Sequence, residues 1–350
     1  MNSGFRDCDG RKSLPGGDGM ARAPLLSIAT PVYNGAAHIG ECIESVLKQE
    51  YTNWEYKVID NASTDQTPEI VSRLASSDSR IRHVRFEEFV DANENHVRAF
   101  RAVDPASEFV KIVQAPDWIY PECLIRMVEA AQASETIGMV AAYQRSDAGV
   151  DLTGIPQDET FLDGRRVLRK QLLGEIAIIG GPTSLMFRTR FLRKRDPFYD
   201  GRYWHADHDA AFWMLAGHDL GFVHQVLMFE RRQKGRIMEG ASQLNTYAPE
   251  FICFLLRYGP SVLEPREYKL RLRACLRKYV TWHIRQLPRL SRMQDVHFFE
   301  LHWTETERVL ELGSSNAEVR AAVRFVRILL RRRARFCRIT GPFALAPGAR

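Results

Sequence analysis

The fold prediction starts from the segment Phe109-Val-Lys-Ile-Val-Gln-Ala-Pro-Asp117-Trp-Ile-Tyr-Pro121. Its first five residues are mostly apolar and β-prone, which predicts a buried strand over 109–113. Pro116 cannot donate a ladder hydrogen bond, so the strand ends before it, and helical spacing of apolar residues begins after Pro121. Asp117 therefore lies in a turn behind the carboxyl end of a strand, which is where ligands bind in an open α/β sheet.

Strands and helices alternate along the chain on both sides of this segment. Strands are predicted near 25–34, 54–60, 81–86, 138–143 and 222–229, and helices near 38–49, 68–75, 93–103, 165–173 and 205–215. Alternation at this spacing indicates βαβ units. The predicted fold class is therefore α/β, with a mostly parallel central sheet flanked by helices.

The chain divides into three predicted regions. Residues 1–22 are rich in glycine and charged side chains and are predicted to be a disordered leader. Residues 23–245 contain the alternating strands and helices. Residues 246–350 are almost entirely helix-prone and are predicted to form a helical carboxy-terminal region.

Composition excludes several classes of protein. The six cysteines form no CxxC pair, which argues against a disulfide framework or a zinc site and fits a reducing compartment. No apolar signal segment and no membrane-length apolar run is visible, so a cytoplasmic protein is expected. Eight arginines and no acid fall between 320 and 338, and without them the net charge of +6 would become slightly negative. The basicity is local, so we expect no nucleic-acid partner.

Three acids fall at strand ends or at a helix start, namely Asp60, Asp117 and Asp207. Successive parallel strands bring their carboxyl ends to one edge of a sheet, so the first two acids can share a cleft. Each acid alone could simply cap a turn or a helix. Their joint placement favours a site. His205 and Asp209 have a workable metal-ligand spacing, but no third ligand accompanies them.

Three motifs carry a resemblance to a known family. Ser27-Ile-Ala-Thr-Pro-Val-Tyr-Asn-Gly35, Glu44-Ser-Val-Leu-Lys-Gln49 and Glu55-Tyr-Lys-Val-Ile-Asp-Asn-Ala-Ser-Thr-Asp65 resemble the amino-terminal signature of family 2 glycosyltransferases. That resemblance implies a GT-A fold and an inverting enzyme that uses nucleotide-diphosphate sugars, with a UDP-sugar favoured as donor. It also implies a saccharide or lipid-linked acceptor, and a place in surface polysaccharide or glycoconjugate biosynthesis.

The resemblance also implies roles for particular residues. Thr30, Pro31 and Tyr33 would line the base pocket, and Asp60 would accept a hydrogen bond from the base. Asp117 would bind a divalent cation, Mn²⁺ or Mg²⁺, held on the diphosphate. Asp207, rather than Asp209, would be the catalytic base.

Two further segments are implied to contact substrates. Gly180 and Gly181 would form a loop that faces the donor sugar and the acceptor; a simple tight turn is the alternative. Arg231 and Arg232 would belong to a basic loop that covers the diphosphate; a solvated loop is the alternative.

Some positions depart from the family pattern. Gln114 and Pro116 stand where acids are frequent, and Glu94 falls near the usual position of a diphosphate-binding cation. These departures favour a second hypothesis, a catalytically impaired pseudo-glycosyltransferase that serves as a nucleotide-binding or interaction module. A nucleotidyltransferase would need a glycine- and lysine-rich loop after the first strand, and residues 30–37 lack one.

The carboxy-terminal segment 321–336 combines an apolar stripe with many arginines. The stripe contains Val323, Val326 and Leu330. A basic amphipathic helix of this kind can lie on an anionic membrane, which would place the protein at the inner face of the membrane. The stripe could equally pack on the catalytic domain or on a partner chain.

Overall fold

The computed structural model describes residues 23–231, 245–290 and 296–336. The predicted leader and Arg232 therefore lie outside the described residues. The strands are β1 (Leu26–Val32), β2 (Trp54–Asn61), β3 (Ile81–Phe86), β4 (Phe109–Ile112), β5 (Trp118–Ile119), β6 (Ile137–Ser146), β7 (Gly149–Asp151), β8 (Phe161–Leu162), β9 (Leu185–Arg188) and β10 (Asp219–Phe229).

These strands form one mostly parallel sheet, as the sequence predicts. Its main order is β3-β2-β1-β4-β9-β6-β10-β5. β1 pairs in parallel with β2 and β4, and β6 pairs in parallel with β10. β9 runs antiparallel between β4 and β6. Because β9 is reversed, the loop that precedes it lies at the same edge as the carboxyl ends of the parallel strands.

Helices flank the sheet and continue beyond it. Their bounds are α1 (Ile39–Leu47), α2 (Thr67–Ala75), α3 (Ala92–Arg101), α4 (Cys123–Gln132), α5 (Gly164–Leu173), α6 (Thr189–Leu192), α7 (Ala206–Gly217), α8 (Tyr247–Val262), α9 (Pro265–Leu290), α10 (Val296–Leu312) and α11 (Ala317–Phe336). Amphipathic spacing explains their packing: α1 buries Ile39, Ile43 and Val46. Asp91 caps α3 by accepting a hydrogen bond from the Glu94 amide at 2.9 Å.

The segment around Asp117 differs in detail from the prediction. β4 ends at Ile112, one residue earlier than expected, although the Val113 amide still donates to the Ala29 carbonyl at 3.0 Å. Trp118 and Ile119 form a short strand that the sequence analysis reads as part of a turn. The Trp118 ring stacks on Phe229 of β10 with 4.0 Å between ring centroids. This contact between distant segments, which local propensity cannot show, pairs β5 with β10.

The carboxy-terminal helices share a hydrophobic core with the sheet. Ile252 of α8 and Val309 of α10 belong to the same buried cluster as strand residues such as Ile112. On α11, the stripe of Val323, Val326 and Leu330 is at most 2% exposed and lies in that cluster. Of the three alternatives for this stripe, namely an anionic membrane, the catalytic domain and a partner chain, the structure shows packing within the chain.

Within the part of the chain that the structure describes, no helix is both long enough and apolar enough to cross a membrane.

Candidate active site

The carboxyl edge of the sheet brings together most of the predicted site residues. Tyr33 follows β1, Asp60 ends β2, and Asp117 follows β4. Gly180 and Gly181 precede β9, whose reversed direction places them at this edge. Asp207 joins them because α7 ends two residues before β10 begins, so its amino end lies toward the carboxyl end of that strand.

The loops after β1 and β2 are tied to each other by side chains. Asn34 has a φ of 50°, a left-handed conformation that asparagine tolerates well. Its side-chain oxygen accepts a hydrogen bond from the Thr64 amide at 2.8 Å. Asp65 accepts one from the Ala36 amide at 3.1 Å and one from the Thr67 amide at 3.0 Å. Asp65 therefore holds the two loops in place beside Asp60.

Asp60 is fully buried and has two protein partners. It accepts a hydrogen bond from the Ser63 amide at 2.9 Å, and its other oxygen lies 3.3 Å from Nε2 of His83. Burial alone would raise the pKa of Asp60, but the contacts with His83 and Ser63 outweigh it and lower the pKa. His83 was not among the site residues predicted from the sequence. Strand register could have suggested it, because His83 pairs with Val58 and so shares a sheet face with Asp60.

Aromatic rings and a buried hydroxyl flank the end of β1. Tyr33 is 46% exposed, and its ring centroid lies 4.6 Å from that of Phe89, which is 56% exposed. Pro31 is partly buried. Thr30 is fully buried, and its hydroxyl donates to the Val113 carbonyl at 2.7 Å. The Thr30 side chain thus fastens β1 to the segment after β4, while Tyr33 and Phe89 offer accessible rings.

Asp117 is buried, and both of its oxygens accept hydrogen bonds. The Thr183 hydroxyl donates to Oδ2 at 2.6 Å, and the Arg231 amide donates to Oδ1 at 3.1 Å. Burial raises the pKa of Asp117 to about 7, because it outweighs these two hydrogen bonds and the nearby charge of Glu230 adds to it. The surroundings of Asp117 therefore favour its protonated form more than water does.

Lys111 on β4 is a further group that the sequence analysis missed. It is fully buried, and its Nζ donates to the Thr183 carbonyl at 2.6 Å. Burial lowers the pKa of Lys111. Thr183 in turn accepts a hydrogen bond from the Gln114 amide at 3.0 Å. Lys111 and Gln114 thus hold Thr183 in position to contact Asp117.

The Gly180–Gly181 loop packs closely against its surroundings. A Cβ on Gly180 would lie 3.0 Å from both a Leu152 methyl group and the Ser184 hydroxyl. A Cβ on Gly181 would lie 3.6 Å from Oε1 of Glu230. Glu230 follows β10 and accepts a hydrogen bond from Nε2 of Gln144 at 2.6 Å. The loop therefore lies against a second carboxylate, which the sequence analysis did not single out.

The side chain of Arg231 is directed toward α1. Its guanidinium lies 2.9 Å from Nδ1 of His38 and donates to Glu41 at 2.6 Å. It also lies 5.2 Å from the centroid of the Trp118 ring. The structure thus brings the Arg231 backbone to Asp117, while its side chain fastens the end of β10 to α1.

Asp207 and Asp209 have different environments on α7. The Asp207 side chain is 17% exposed and accepts a hydrogen bond from the His208 amide at 2.9 Å. Burial raises the pKa of Asp207, but His208 and His205 outweigh it, so the net shift is downward. Asp209 is fully buried, accepts a hydrogen bond from the Tyr258 hydroxyl at 2.8 Å and pairs with Arg195. Of the two acids on α7, only Asp207 has an exposed side-chain surface.

The metal prediction can be compared with the donor atoms around Asp117. Among the described residues, no group of three or more His, Cys, Asp or Glu side chains is arranged to hold a metal ion. Each Asp117 oxygen accepts one hydrogen bond from the protein, and a carboxylate oxygen can accept two. Asp117 thus fits the role of a single protein ligand to a divalent cation that also binds phosphate and water.

Comparisons with known proteins agree with this architecture. The profile of glycosyl transferase family 2 matches residues 27–196. Glycosyltransferase GlyG of Streptococcus pneumoniae is 30% identical over 225 residues, which cover 61% of this chain and 73% of that protein. Glycosyltransferase GlyA of the same organism is 27% identical over 125 residues, which cover 35% of this chain but only 18% of GlyA.

Solved structures share the fold at low identity. S. aureus TarS in complex with UDP-GlcNAc has a TM-score of 0.60 at 16% identity, covering 88% of this chain and 91% of that chain. The mannosyltransferase PcManGT of Pyrobaculum calidifontis, solved with GDP-Man and Mn²⁺, has a TM-score of 0.52 at 17% identity, covering 91% and 88%. With its GT-A fold and these relatives, the chain belongs to glycosyl transferase family 2 and is a glycosyltransferase.

Proposed function

We propose that the protein is an inverting glycosyltransferase that moves a sugar from a nucleotide-diphosphate donor, with a UDP-sugar favoured, to a saccharide or lipid-linked acceptor. The observation that carries the proposal is the gathering of Asp60, Asp117 and Asp207 at one edge of the sheet. The relatives support a place in surface polysaccharide or glycoconjugate assembly: one is named a putative teichuronic acid biosynthesis glycosyltransferase and another an O-antigen biosynthesis protein.

The base of the donor would bind between Asp60 and the aromatic pair. The Asp60 carboxylate is ionised at neutral pH and accepts hydrogen bonds only, which suits the imide N–H of uracil. The exposed rings of Tyr33 and Phe89 offer a stacking surface. Pro31 would contribute to the same wall, and the Thr30 hydroxyl would support it from behind.

The diphosphate would lie near Asp117. A divalent cation, Mn²⁺ or Mg²⁺, held by Asp117 would offset the negative charge of the diphosphate. Glu230, whose charge already acts on Asp117, could share in holding that cation. Arg231 and Arg232 would cover the diphosphate, and Arg231 would leave Glu41 to do so.

The transfer step would depend on Asp207. The acceptor hydroxyl attacks the anomeric carbon in line with the departing diphosphate oxygen. The new carbon–oxygen bond forms as the bond to the diphosphate breaks, and the hydroxyl proton passes to the Asp207 carboxylate. The attack comes from the face opposite the leaving group, so the anomeric configuration is inverted. Gly180 and Gly181 would let the backbone lie close to the reacting sugar.

A catalytically impaired protein that still binds nucleotide is the second candidate. The observation that favours it is the environment of Asp117, whose oxygens already accept protein hydrogen bonds and whose pKa is raised to about 7. A proton therefore competes with a metal ion at neutral pH. Glu94, which is 48% exposed at the start of α3 and lies 3.9 Å from the Arg101 guanidinium, stands near the position where the family has a diphosphate-binding cation.

Donor binding and donor hydrolysis separate the two candidates. UDP and GDP would be titrated by calorimetry with and without Mn²⁺, and release of nucleotide would be measured from UDP-glucose, UDP-GlcNAc, UDP-galactose and GDP-mannose. We expect Mn²⁺-dependent UDP binding and slow hydrolysis of one donor, both lost in Asp117→Ala.

The matched control is Glu129→Ala, which removes an exposed acid of α4 paired with Arg126. It should behave as the wild type. Nucleotide binding without hydrolysis of any donor would support the second candidate, and absence of all nucleotide binding would refute both.

A further inference from the structure

Two buried polar atoms beside Asp207 are not used by the mechanism described above. The hydroxyl of Tyr199, a residue 2% exposed, has no hydrogen-bond partner among the described residues. Nε2 of His96 is also buried and has no hydrogen-bond partner among the residues that the structure describes. The two rings stack, with 5.5 Å between centroids and 22° between planes. Most buried polar atoms in proteins are hydrogen-bonded, so two neighbouring exceptions point to a ligand.

The two residues lie on two segments that are next to the proposed active site. His96 lies on α3, whose amino end follows β3 at the carboxyl edge of the sheet. Tyr199 lies in the segment that leads to Asp207. Nδ2 of Asn93 donates to the Tyr203 carbonyl at 2.7 Å and ties the two segments together. The charge of Asp207 contributes to the pKa shifts of both His96 and Tyr199.

The hydrogen-bonding character of each atom follows from its surroundings. Nδ1 of His96 lies 2.7 Å from the Ala92 carbonyl, which can only accept, so Nδ1 carries the proton. Burial lowers the pKa of His96, so its ring is neutral and Nε2 is an acceptor. Burial, and then the charge of Asp207, raise the pKa of Tyr199 well above its ordinary value, so its hydroxyl keeps its proton and can donate.

We propose that Nε2 of His96 and the hydroxyl of Tyr199 bind a sugar hydroxyl of the acceptor, next to the hydroxyl that Asp207 deprotonates. A hydroxyl suits this pair because it donates to Nε2 and accepts from the phenol at the same time. A carboxylate or phosphate oxygen could not donate to Nε2. The subsite therefore selects a hydroxyl group, not an anionic oxygen, at this position. The inference rests on the proposed role of Asp207 as the base.

The test uses methyl glycosides as acceptor probes. The donor that the wild type hydrolyses is incubated with the methyl α-glycosides of glucose, galactose, mannose, rhamnose and GlcNAc, and nucleotide release and glycosylated product are measured. We expect at least one glycoside to inhibit hydrolysis or to become glycosylated. Its apparent dissociation constant should rise about tenfold in Tyr199→Phe and in His96→Phe, as expected for loss of one hydrogen bond. UDP affinity should change less.

Tyr51→Phe is the matched control, because the Tyr51 hydroxyl donates to the Pro24 carbonyl at the opposite edge of the sheet. It should leave glycoside affinity unchanged. Equal glycoside affinity in the wild type and in Tyr199→Phe would overturn the inference, as would the absence of any glycoside effect on the wild type. Absence of donor hydrolysis in the wild type would instead refute the proposed function itself.

Discussion

Asp207 and Asp209 lie two residues apart on α7 and differ enough to be separated by one matched pair of variants. Asparagine at either position removes the negative charge and keeps the size of the side chain. Asp209 is fully buried against Arg195, the Tyr258 hydroxyl at 2.8 Å and Arg257 at 3.4 Å. Asp207 is 17% exposed, and its hydrogen bond from the His208 amide lies within the first turn of the helix.

The expected effects on stability are therefore unequal. Asp209→Asn leaves the Arg195 guanidinium, only 12% exposed, beside a neutral amide. Removing one partner of a buried ion pair costs about 3–5 kcal/mol. Asp207→Asn disturbs one local hydrogen bond and partly exposed contacts with histidine, which contribute about 1 kcal/mol or less. The free energy of unfolding should fall clearly for the first variant and little for the second.

The expected effects on activity run the other way. Loss of a general base typically costs about 10²–10⁴-fold in rate. Donor hydrolysis and transfer should fall by that factor in Asp207→Asn, while UDP affinity changes by less than about twofold, because the base acts on the acceptor. Asp209→Asn should keep its activity per folded molecule. Urea unfolding, calorimetry with UDP and nucleotide release measure the three quantities.

Two results would refute this assignment. If Asp207→Asn unfolds at the urea midpoint expected for Asp209→Asn and keeps its activity, the two roles are reversed. If UDP affinity collapses in Asp207→Asn although the protein is folded, then Asp207 belongs to the donor site. Both results come from urea unfolding, UDP binding and donor hydrolysis of the same two variants. Neither result therefore requires that the acceptor be known.

Three further predictions follow from the site. Asp60→Ala should weaken UDP binding and abolish the preference for UDP over CDP in calorimetry. The reason is that the cytosine ring has no imide N–H to donate to Asp60. An unchanged preference would show that Asp60 does not belong to the base pocket. Tyr33→Ala should weaken UDP binding by about 1–3 kcal/mol, as expected for loss of one base–aromatic stack, whereas Tyr33→Phe should keep the UDP affinity of the wild type. Equal losses of UDP affinity in both variants would count against stacking. Burial lowers the pKa of Lys111, so between that lowered pKa and about 10.4 the unfolded chain binds more protons than the folded one. The free energy of unfolding should therefore rise with pH across this window in the wild type but not in Lys111→Met. Parallel urea-unfolding profiles for the two proteins would contradict this account.

The sequence was sufficient to predict the alternating part of the fold. Strand 109–113 and the helix after Pro121 could be found because their side chains follow a local period, and β4 and α4 lie there. The periodicity of side chains along one segment cannot predict how that segment pairs with strands far away in the sequence. The short strand at Trp118 depends on stacking against Phe229, and the reversed β9 depends on its neighbours on both sides.

The same limit applies to the site. Asp60 could be chosen from the sequence because it ends a recognisable strand, but its partner His83 comes from the next strand and is visible only with the register in hand. Lys111 could have been noticed as a cation inside a predicted buried strand. Its hydrogen bond to the Thr183 carbonyl spans 72 residues, which no local pattern encodes.

Asp117 shows how far adjacent residues can be used to judge such a site. In the sequence, Gln114 and Pro116 count against Asp117, since acids are frequent at those positions in the family. In the structure its immediate partners come from elsewhere: Thr183 is 66 residues away and Arg231 is 114 residues away in the chain. The properties that would decide the proposed metal binding, namely the ionisation of Asp117 and the free lone pairs of its oxygens, are set by these distant groups and by burial. A departure at Pro116 alone is therefore weak evidence against activity, whereas a change at Thr183 should alter Asp117 directly.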